Sequence, residues 1–310
     1  MMAKILYVIG NGFDMFHGIA SGYKDYAEWL SNTGNETLDE IYETFGDFDE
    51  DWWYRFEEHL ADAEVVRIAS ETASEHVPDF ASDDFRDRDW YEAEYAVESR
   101  LDDVYDDITD SFSEWVAELD LSKCEGLLRL HKEESLFLSF NYTETLEDVY
   151  GVDESQILHI HGRAKSGDKL VLGHGSTYED IAKANPVPQG EDIEYWETRA
   201  YDGAVGAISK KKKAVDHFIS VNEKFFRKLA DVAVVITLGY SYSDTDSRYI
   251  DKICEMIDRA NVRWIASAYS EEDRERVVRF FKDHGISNHT IIRDLSEVNG
   301  ISLISSNPAD

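Results

Sequence analysis

The stretch ILYVIGNGFDMFHG, residues 5–18, begins with five apolar residues and turns at two glycines. Ile5–Ile9 is continuously apolar rather than alternating, which is typical of a strand covered on both faces in a parallel sheet. Glycines after such a strand often let the backbone approach a phosphate, but the usual dinucleotide fingerprint needs a third glycine where this chain has Met15. The stretch therefore predicts an α/β fold, with either a nucleotide site of another kind or a tight turn capped by Asp14.

Further apolar runs extend this prediction from one strand to a sheet. They share short length, continuity and a high content of β-branched or aromatic residues. We therefore predict a doubly wound, mostly parallel, Rossmann-like α/β sheet. The predicted strands are Leu136–Phe140, Ile157–Ile160, Leu170–Leu172, Val232–Leu238 and Val262–Ala266, with weaker candidates at Thr290–Ile292 and Ile301–Ile304.

The region between the first two strands has aromatic and aliphatic residues at helical spacing and no clear strand pattern. We interpret residues 22–130 as a large helical insertion, or cap, in a core formed by 1–21 and 131–310. A second excursion, 176–215, contains two prolines and several glycines. It is predicted to be a loop or lid.

Composition and charge narrow the expected partners. The 310 residues are 43% hydrophobic and carry a formal net charge of −34, which repels polyanions such as nucleic acid. No apolar run approaches the ~18 residues of a membrane span, and the N-terminal run is too short for a signal peptide. Cys124 and Cys254 match no metal motif and fit a reducing compartment. We expect a cytoplasmic protein that binds neither nucleic acid nor membrane.

Polar or glycine-containing segments follow four of the predicted strands. The carboxyl ends of parallel strands lie at one edge of a sheet, where such folds bind their ligands. Ordinary capping is the competing explanation, since Asn141 with Glu144, and Ser243 with Asp246, have the spacing of capping boxes. The candidate site residues at these ends are Gly10, Asn11, Gly12, Phe13, Asp14, Asn141, Tyr142, Thr143, His161, Gly239, Tyr240, Ser241, Asp244 and Asp246.

Three histidines suggest a different chemistry. On a strand, His159 and His161 are two residues apart and share a face, and His174 lies between two glycines further along. Imidazole is a common ligand of Zn²⁺ and similar ions. A metal-dependent hydrolase using these three histidines is therefore an alternative hypothesis, although it leaves the glycine turns without a role.

The ordered set of motifs resembles the bacteriophage abortive infection AbiH family. The resemblance covers nearly the whole chain, from Ile5 to about Ile253, and implies a role in bacterial anti-phage defence. The motifs that carry it are GNGFD at 10–14, WYRFEEHL at 53–60, FNYTETLE at 140–147, HIHG at 159–162, GHG at 173–175 and GYSYSDTDSRY at 239–249.

More distantly, the order of these motifs is similar to that of sirtuin-like NAD-binding domains. The chain departs from them in its first turn and in lacking zinc-binding cysteine pairs, which argues against a protein deacylase. This likeness implies that Gly10 and Gly12 lie against the dinucleotide. It also implies that Asn141 is the active-site asparagine and His161 the catalytic histidine. Gly239 and Ser241 would contact a ribose-phosphate.

The resemblance implies a hydrolase that cleaves NAD to ADP-ribose and nicotinamide. NAD is then substrate or ligand, and no tightly bound cofactor is predicted. Asn141 would orient water or a ribose hydroxyl, His161 would act as general base, and Arg163 or Lys24 would help hold the pyrophosphate. Expected partners are a nucleotide, a phage or host protein as trigger, and a second copy in a homo-oligomer. A non-catalytic nucleotide sensor, whose acidic insertion engages a partner protein, is a further alternative.

Overall fold

The computed structural model describes residues 4–46, 50–187 and 194–301. Within these residues, six parallel strands form one sheet in the order β3-β2-β1-β4-β5-β6. This confirms the predicted doubly wound, Rossmann-like α/β fold. The strands are β1 (Ile5–Ile9), β2 (Ser135–Ser139), β3 (Ile157–His159), β4 (Val234–Leu238), β5 (Arg263–Ser267) and β6 (His289–Ile292).

Helices make up most of the rest of the described chain. None of those in the described residues is long and apolar enough to cross a membrane. The α-helices are α1 (Asn11–Phe16), α2 (Tyr23–Thr33), α3 (Thr37–Phe45), α4 (Phe56–His59), α5 (Val65–Glu75), α6 (Glu92–Glu118), α7 (Thr145–Asp148), α8 (Tyr178–Ala184), α9 (Tyr195–Lys210), α10 (Val215–Val221), α11 (Glu223–Arg227), α12 (Ser247–Met256) and α13 (Glu271–His284).

Both faces of the sheet are covered, as the continuous apolar strands predict. Along β1, Leu6 and Val8 belong to a core that includes side chains of α10, α11, α12 and α13. Ile5, Tyr7 and Ile9 belong to a second core, which includes side chains of α1 and α7. Burying one such aliphatic side chain contributes roughly 1.5–3 kcal/mol. Side chains on both faces of β1 therefore stabilise the fold.

The described chain forms two compact units. Of the described residues, unit 1 contains those of 4–22, 116–171 and 214–301, and therefore all six strands. Unit 2 contains the described residues within 23–115 and 172–213, and its regular elements are helices. Residues 172–213, which the sequence-based division placed in the core, group with the helical unit, and residues 116–130 group with the sheet.

Three local predictions were wrong or lie outside the described residues. Leu170–Leu172 forms no strand, because the Val171 amide donates to the carbonyl of His161 instead of joining a ladder. The predicted loop or lid over 176–215 contains the whole of α8 and α9, so the glycines of α9 did not prevent a helix. Residues 188–193 of this segment lie outside the described residues. Ile301 is irregular, and the rest of the Ile301–Ile304 candidate lies outside the described residues.

Candidate functional site

The glycine turns after β1 and β4 pack directly against each other. A Cβ atom on Gly10 would lie 2.5 Å from the carbonyl oxygen of Gly239, and one on Gly12 would lie 2.8 Å from the Gly239 Cα. Gly239 also has φ +63°, which favours glycine, and its carbonyl accepts a hydrogen bond from the Gly12 amide at 3.0 Å. The order of strands reverses between β1 and β4, so this contact lies at the topological switch point of the sheet. Backbone contact alone therefore explains all three glycines.

Two other residues of the first turn are engaged inside the protein. The side-chain Nδ2 of Asn11 donates to the carbonyl of Ser21 at 2.8 Å, and its Oδ1 accepts from the Ser21 hydroxyl at 2.6 Å. Phe13 is fully buried and its ring packs against those of His17 and Tyr150. Both residues thus have a structural role in the turn, and their predicted contact with a cofactor remains a prediction.

Asp14 is a buried carboxyl at the junction of the β1 and β2 ends, not a helix cap as the sequence suggested. It lies inside α1, where its Oδ2 accepts a hydrogen bond from the Thr143 hydroxyl at 2.5 Å. Burial raises the pKa of Asp14 to about 6, and hydrogen bonding from Thr143 and Thr145 opposes this shift. Oδ1 is buried with no hydrogen-bond partner in the described structure.

Asn141 follows β2 and is only 5% exposed. The predicted capping box with Glu144 does not form, because α7 begins at Thr145 with Glu144 as its N-cap residue. Both the oxygen and the nitrogen of the Asn141 carboxamide are buried without a hydrogen-bond partner among the described residues. Such a group normally costs about 1–3 kcal/mol, so its retention requires an explanation other than fold stability.

His161 lies two residues past the end of β3, between the rings of the two residues that flank Asn141 in sequence. Its ring centroid is 5.3 Å from that of Phe140, edge-on, and 5.8 Å from that of Tyr142, roughly stacked. Its Nε2 faces Oδ1 of Asp246 at 3.4 Å without forming a hydrogen bond of good geometry. The carboxylate is placed to stabilise a protonated imidazole.

The end of β4 also differs from the predicted capped helix. Ser243 makes no side-chain cap, and residues Asp244–Asp246 form a 3₁₀ turn before α12. Tyr240 is buried beside Phe140, with ring centroids 4.8 Å apart, and Asp246 is buried beside His161. Ser241 and Asp244 are exposed. The structure thus brings Asp246 to His161 and Tyr240 to the neighbouring Phe140, while Ser241 and Asp244 are exposed at the same strand end.

The three histidines of the metal hypothesis have separate partners. Nε2 of His159 contacts Oε1 of Glu147 at 2.7 Å, whereas His161 faces Asp246. His174 belongs to unit 2, is fully buried, accepts from the Ser176 amide through Nδ1 and donates to the Ile208 carbonyl through Nε2. The described residues contain no group of three or more histidine, cysteine or acidic side chains able to hold a metal ion. The hypothesis therefore finds no support in the geometry.

The two cations proposed for a pyrophosphate differ in their surroundings. The Arg163 guanidinium is bound to Asp168 at 2.9 Å and to Glu154 at 2.6 Å, so its charge is already compensated. Lys24 lies on α2, in unit 2. Helix α1 has only six residues, and its Gly12 amide is engaged by Gly239. The contact of Arg163 or Lys24 with a pyrophosphate stays a prediction.

Sequence reasoning missed the aromatic surroundings of His161. The ring of Phe140 packs edge-on against both the His161 imidazole and the ring of Tyr249. The ring centroids of Tyr249 and His161 are 6.0 Å apart, again edge-on. Tyr249 closes the segment GYSYSDTDSRY, three residues after Asp246, so helical spacing places both on one face. That spacing was the available signal.

An open parallel sheet with unpaired buried polar groups at its carboxyl ends defines a Rossmann-like α/β protein with a candidate small-molecule site. The chain belongs to the bacteriophage abortive infection AbiH family, whose sequence model matches residues 6–268. The suspected resemblance is thereby confirmed, and with it a role in bacterial anti-phage defence by abortive infection. No curated protein and no solved structure matches the chain.

Proposed function

We propose that the anti-phage activity of this protein is hydrolysis of NAD to ADP-ribose and nicotinamide, with Asn141 and His161 as catalytic residues. The observation that carries this proposal is the buried carboxamide of Asn141, which has no hydrogen-bond partner among the described residues. The two sequence neighbours of Asn141, Phe140 and Tyr142, pack against the His161 ring. A polar ligand would satisfy the carboxamide, and the adjacent imidazole supplies a general base.

The chemistry divides between these two side chains. Breaking the bond between nicotinamide and ribose passes through an oxocarbenium-like state, and neutral nicotinamide leaves with the bonding electrons. The Asn141 carboxamide orients the attacking water or a ribose hydroxyl. His161 accepts the proton that water loses as its oxygen bonds to the ribose carbon, and Asp246, 3.4 Å from Nε2, stabilises the resulting imidazolium. General-base assistance of this kind is typically worth ~10²–10⁴-fold in rate.

The other strand-end residues are proposed to surround the dinucleotide. Asp14 offers its unpaired Oδ1 to a ribose hydroxyl. Tyr142 fixes the wall next to His161, since its hydroxyl donates to the carbonyl of Val171 at 3.0 Å. Thr143 holds Asp14 in place. Ser241 and Asp244 are exposed and available at the rim.

The proposal is tested by incubating purified protein with NAD and separating the products by chromatography, with and without lysate of phage-infected cells as the source of a trigger. Asn141→Ala and His161→Ala are each expected to lower nicotinamide release by ~100-fold or more. The matched controls are His284→Ala and Asn261→Ala. His284 is the last residue of α13 and is paired with Asp251, and Asn261 is exposed. Both controls should keep wild-type activity.

Three outcomes separate the competing functions. Infected cells that keep their NAD level, together with Asn141→Ala and His161→Ala variants that still protect, would overturn the proposal. A rise in melting temperature with NAD but no product would indicate a nucleotide sensor. Activity lost on chelation and restored by Zn²⁺ would favour the metal-dependent hydrolase.

A further inference from the structure

Unit 2 carries a cluster of aromatic side chains that the candidate site does not use. Phe80 and Trp90 have ring centroids 5.0 Å apart, Phe80 and Trp196 are 5.6 Å apart, and Trp90 and Tyr195 are 5.6 Å apart. The ring centroid of Phe85 lies 5.5 Å from that of Phe80 and 5.8 Å from that of Trp90. We call these five residues the aromatic surface of unit 2.

Packing within the protein explains only part of this surface. Phe85, Trp90 and Trp196 are partly buried, as expected for rings that hold the segment before α6 against α9. Phe80 and Tyr195 nevertheless remain 52% and 50% exposed. Contiguous exposed aromatic side chains are uncommon on monomers and are enriched in protein interfaces.

The charge around this surface is one-sided. Residues 79–98 contain eight acidic and two basic residues, and Glu194 and Glu197 flank Tyr195 and Trp196. The carboxylates attract cations by their charge, and the faces of the aromatic rings attract them by the ring quadrupole. The same field repels nucleic acid and anionic membranes, so neither fits this surface.

The protein already binds one guanidinium in this way beside the aromatic surface. Arg199 on α9 lies over the ring of Tyr91, 5.0 Å from its centroid. Its Nε and Nη2 donate to the two carboxylate oxygens of Glu94, each at 2.7 Å. A neighbouring tyrosine and glutamate therefore hold an arginine by stacking and by a bidentate ion pair.

We propose that the aromatic surface of unit 2 binds an arginine-bearing segment of a partner protein. Arginine side chains of the partner stack on Phe80 and Trp90, and the surrounding carboxylates, including Asp83 and Asp87, pair with their guanidinium groups. Arginine is favoured over lysine because a planar guanidinium stacks on a ring and binds a carboxylate bidentately at the same time, whereas an ammonium remains strongly hydrated. The proposal does not depend on NAD hydrolysis.

The test measures binding of a fluorescent peptide of alternating arginine and glycine to the full chain by anisotropy, at about 0.15 M ionic strength, where long-range attraction is screened. We expect the double variant Phe80→Ala and Trp90→Ala to weaken binding ~10-fold or more. The matched control replaces two exposed tyrosines elsewhere, Tyr54→Ala and Tyr269→Ala, and should bind as wild type. Both pairs leave the net charge unchanged.

A second variant guards against loss of folding, because Trp90 is partly buried. Phe80→Ala alone changes a ring that is half exposed and is expected to weaken binding about threefold. The same peptide with lysine in place of arginine should bind several-fold more weakly than the arginine peptide. Equal binding by wild type and both Phe80 variants, equal binding of the two peptides, or no binding of the arginine peptide would each overturn the proposal.

Discussion

Two pairs of strand ends in the same sheet meet their polar requirements in opposite ways. At the ends of β1 and β4, Gly10, Gly12 and Gly239 pack backbone against backbone, with the Gly12 amide bonded to the Gly239 carbonyl. At the ends of β2 and β3, the Asn141 carboxamide and His161 Nε2 are buried without a hydrogen-bond partner in the described structure. The first pair is built for close packing, whereas the second retains groups that stability alone does not favour. The chemistry of the site is therefore expected at β2 and β3.

The largest effect should come from adding a single methyl group to the glycine turns at the ends of β1 and β4. In Gly239→Ala the new Cβ would overlap the amide nitrogen of Phe13 and the backbone of Gly12, at a φ of +63°. Rigid backbone lies on the other side, so we expect a loss of more than about 4 kcal/mol in the free energy of unfolding, seen by chemical denaturation or as failure to obtain folded protein.

Gly285→Ala is the matched control for this prediction. Gly285 has a similar φ of +66° at the end of α13, but nothing lies within 4 Å of an added Cβ. Its substitution carries the conformational cost alone, about 1 kcal/mol. If both variants lost the same stability, close packing of the two turns would not be the reason for Gly239.

A smaller effect is expected from the carboxyl that joins the two pairs. An acid whose pKa is raised by folding from 3.8 to about 6 contributes a cost that appears as pH rises through that window. Asp14→Asn should therefore be more stable than wild type at pH 8 by on the order of 3 kcal/mol, and this advantage should largely vanish near pH 4.

Thermal and denaturant unfolding at several pH values would measure this difference. The exposed Asp39→Asn changes the net charge equally and should show only a small, nearly constant difference from wild type across the same pH range. An Asp14→Asn advantage that is the same at pH 4 and pH 8 would show that burial does not raise the pKa of this carboxyl.

The smallest effect on stability is expected at the ends of β2 and β3. Asn141→Leu keeps the number and branching of the side-chain heavy atoms and removes the unmet carboxamide, so we expect the free energy of unfolding to rise by about 1 kcal/mol while activity is lost. The exposed Asn261→Leu should change stability by less than about 0.5 kcal/mol. A clear loss of stability in Asn141→Leu would mean that ordered water already satisfies the carboxamide in the free protein.

Much of the fold could be predicted from local pattern. All six observed strands lie within two residues of predicted runs, because a strand buried on both faces must be continuously apolar. Leu170–Leu172 has the same composition but forms no strand, since an apolar run does not specify whether a neighbouring ladder is available to pair with it. Helix α9 was mistaken for a loop, because the tertiary contacts that hold Gly203 against α6 are not visible in sequence.

For the site, the sequence by itself determined which residue types stand at the strand ends and, through its ordered motifs, the family. Only the tertiary structure decided what each of them does. Asn141 and Ser243 have the spacing of capping boxes, yet neither side chain caps a helix, and Asp14 is buried beside Thr143. The physical reason is that capping is a local property, readable from spacing, whereas burial and the supply of hydrogen-bond partners depend on segments more than a hundred residues apart in the chain.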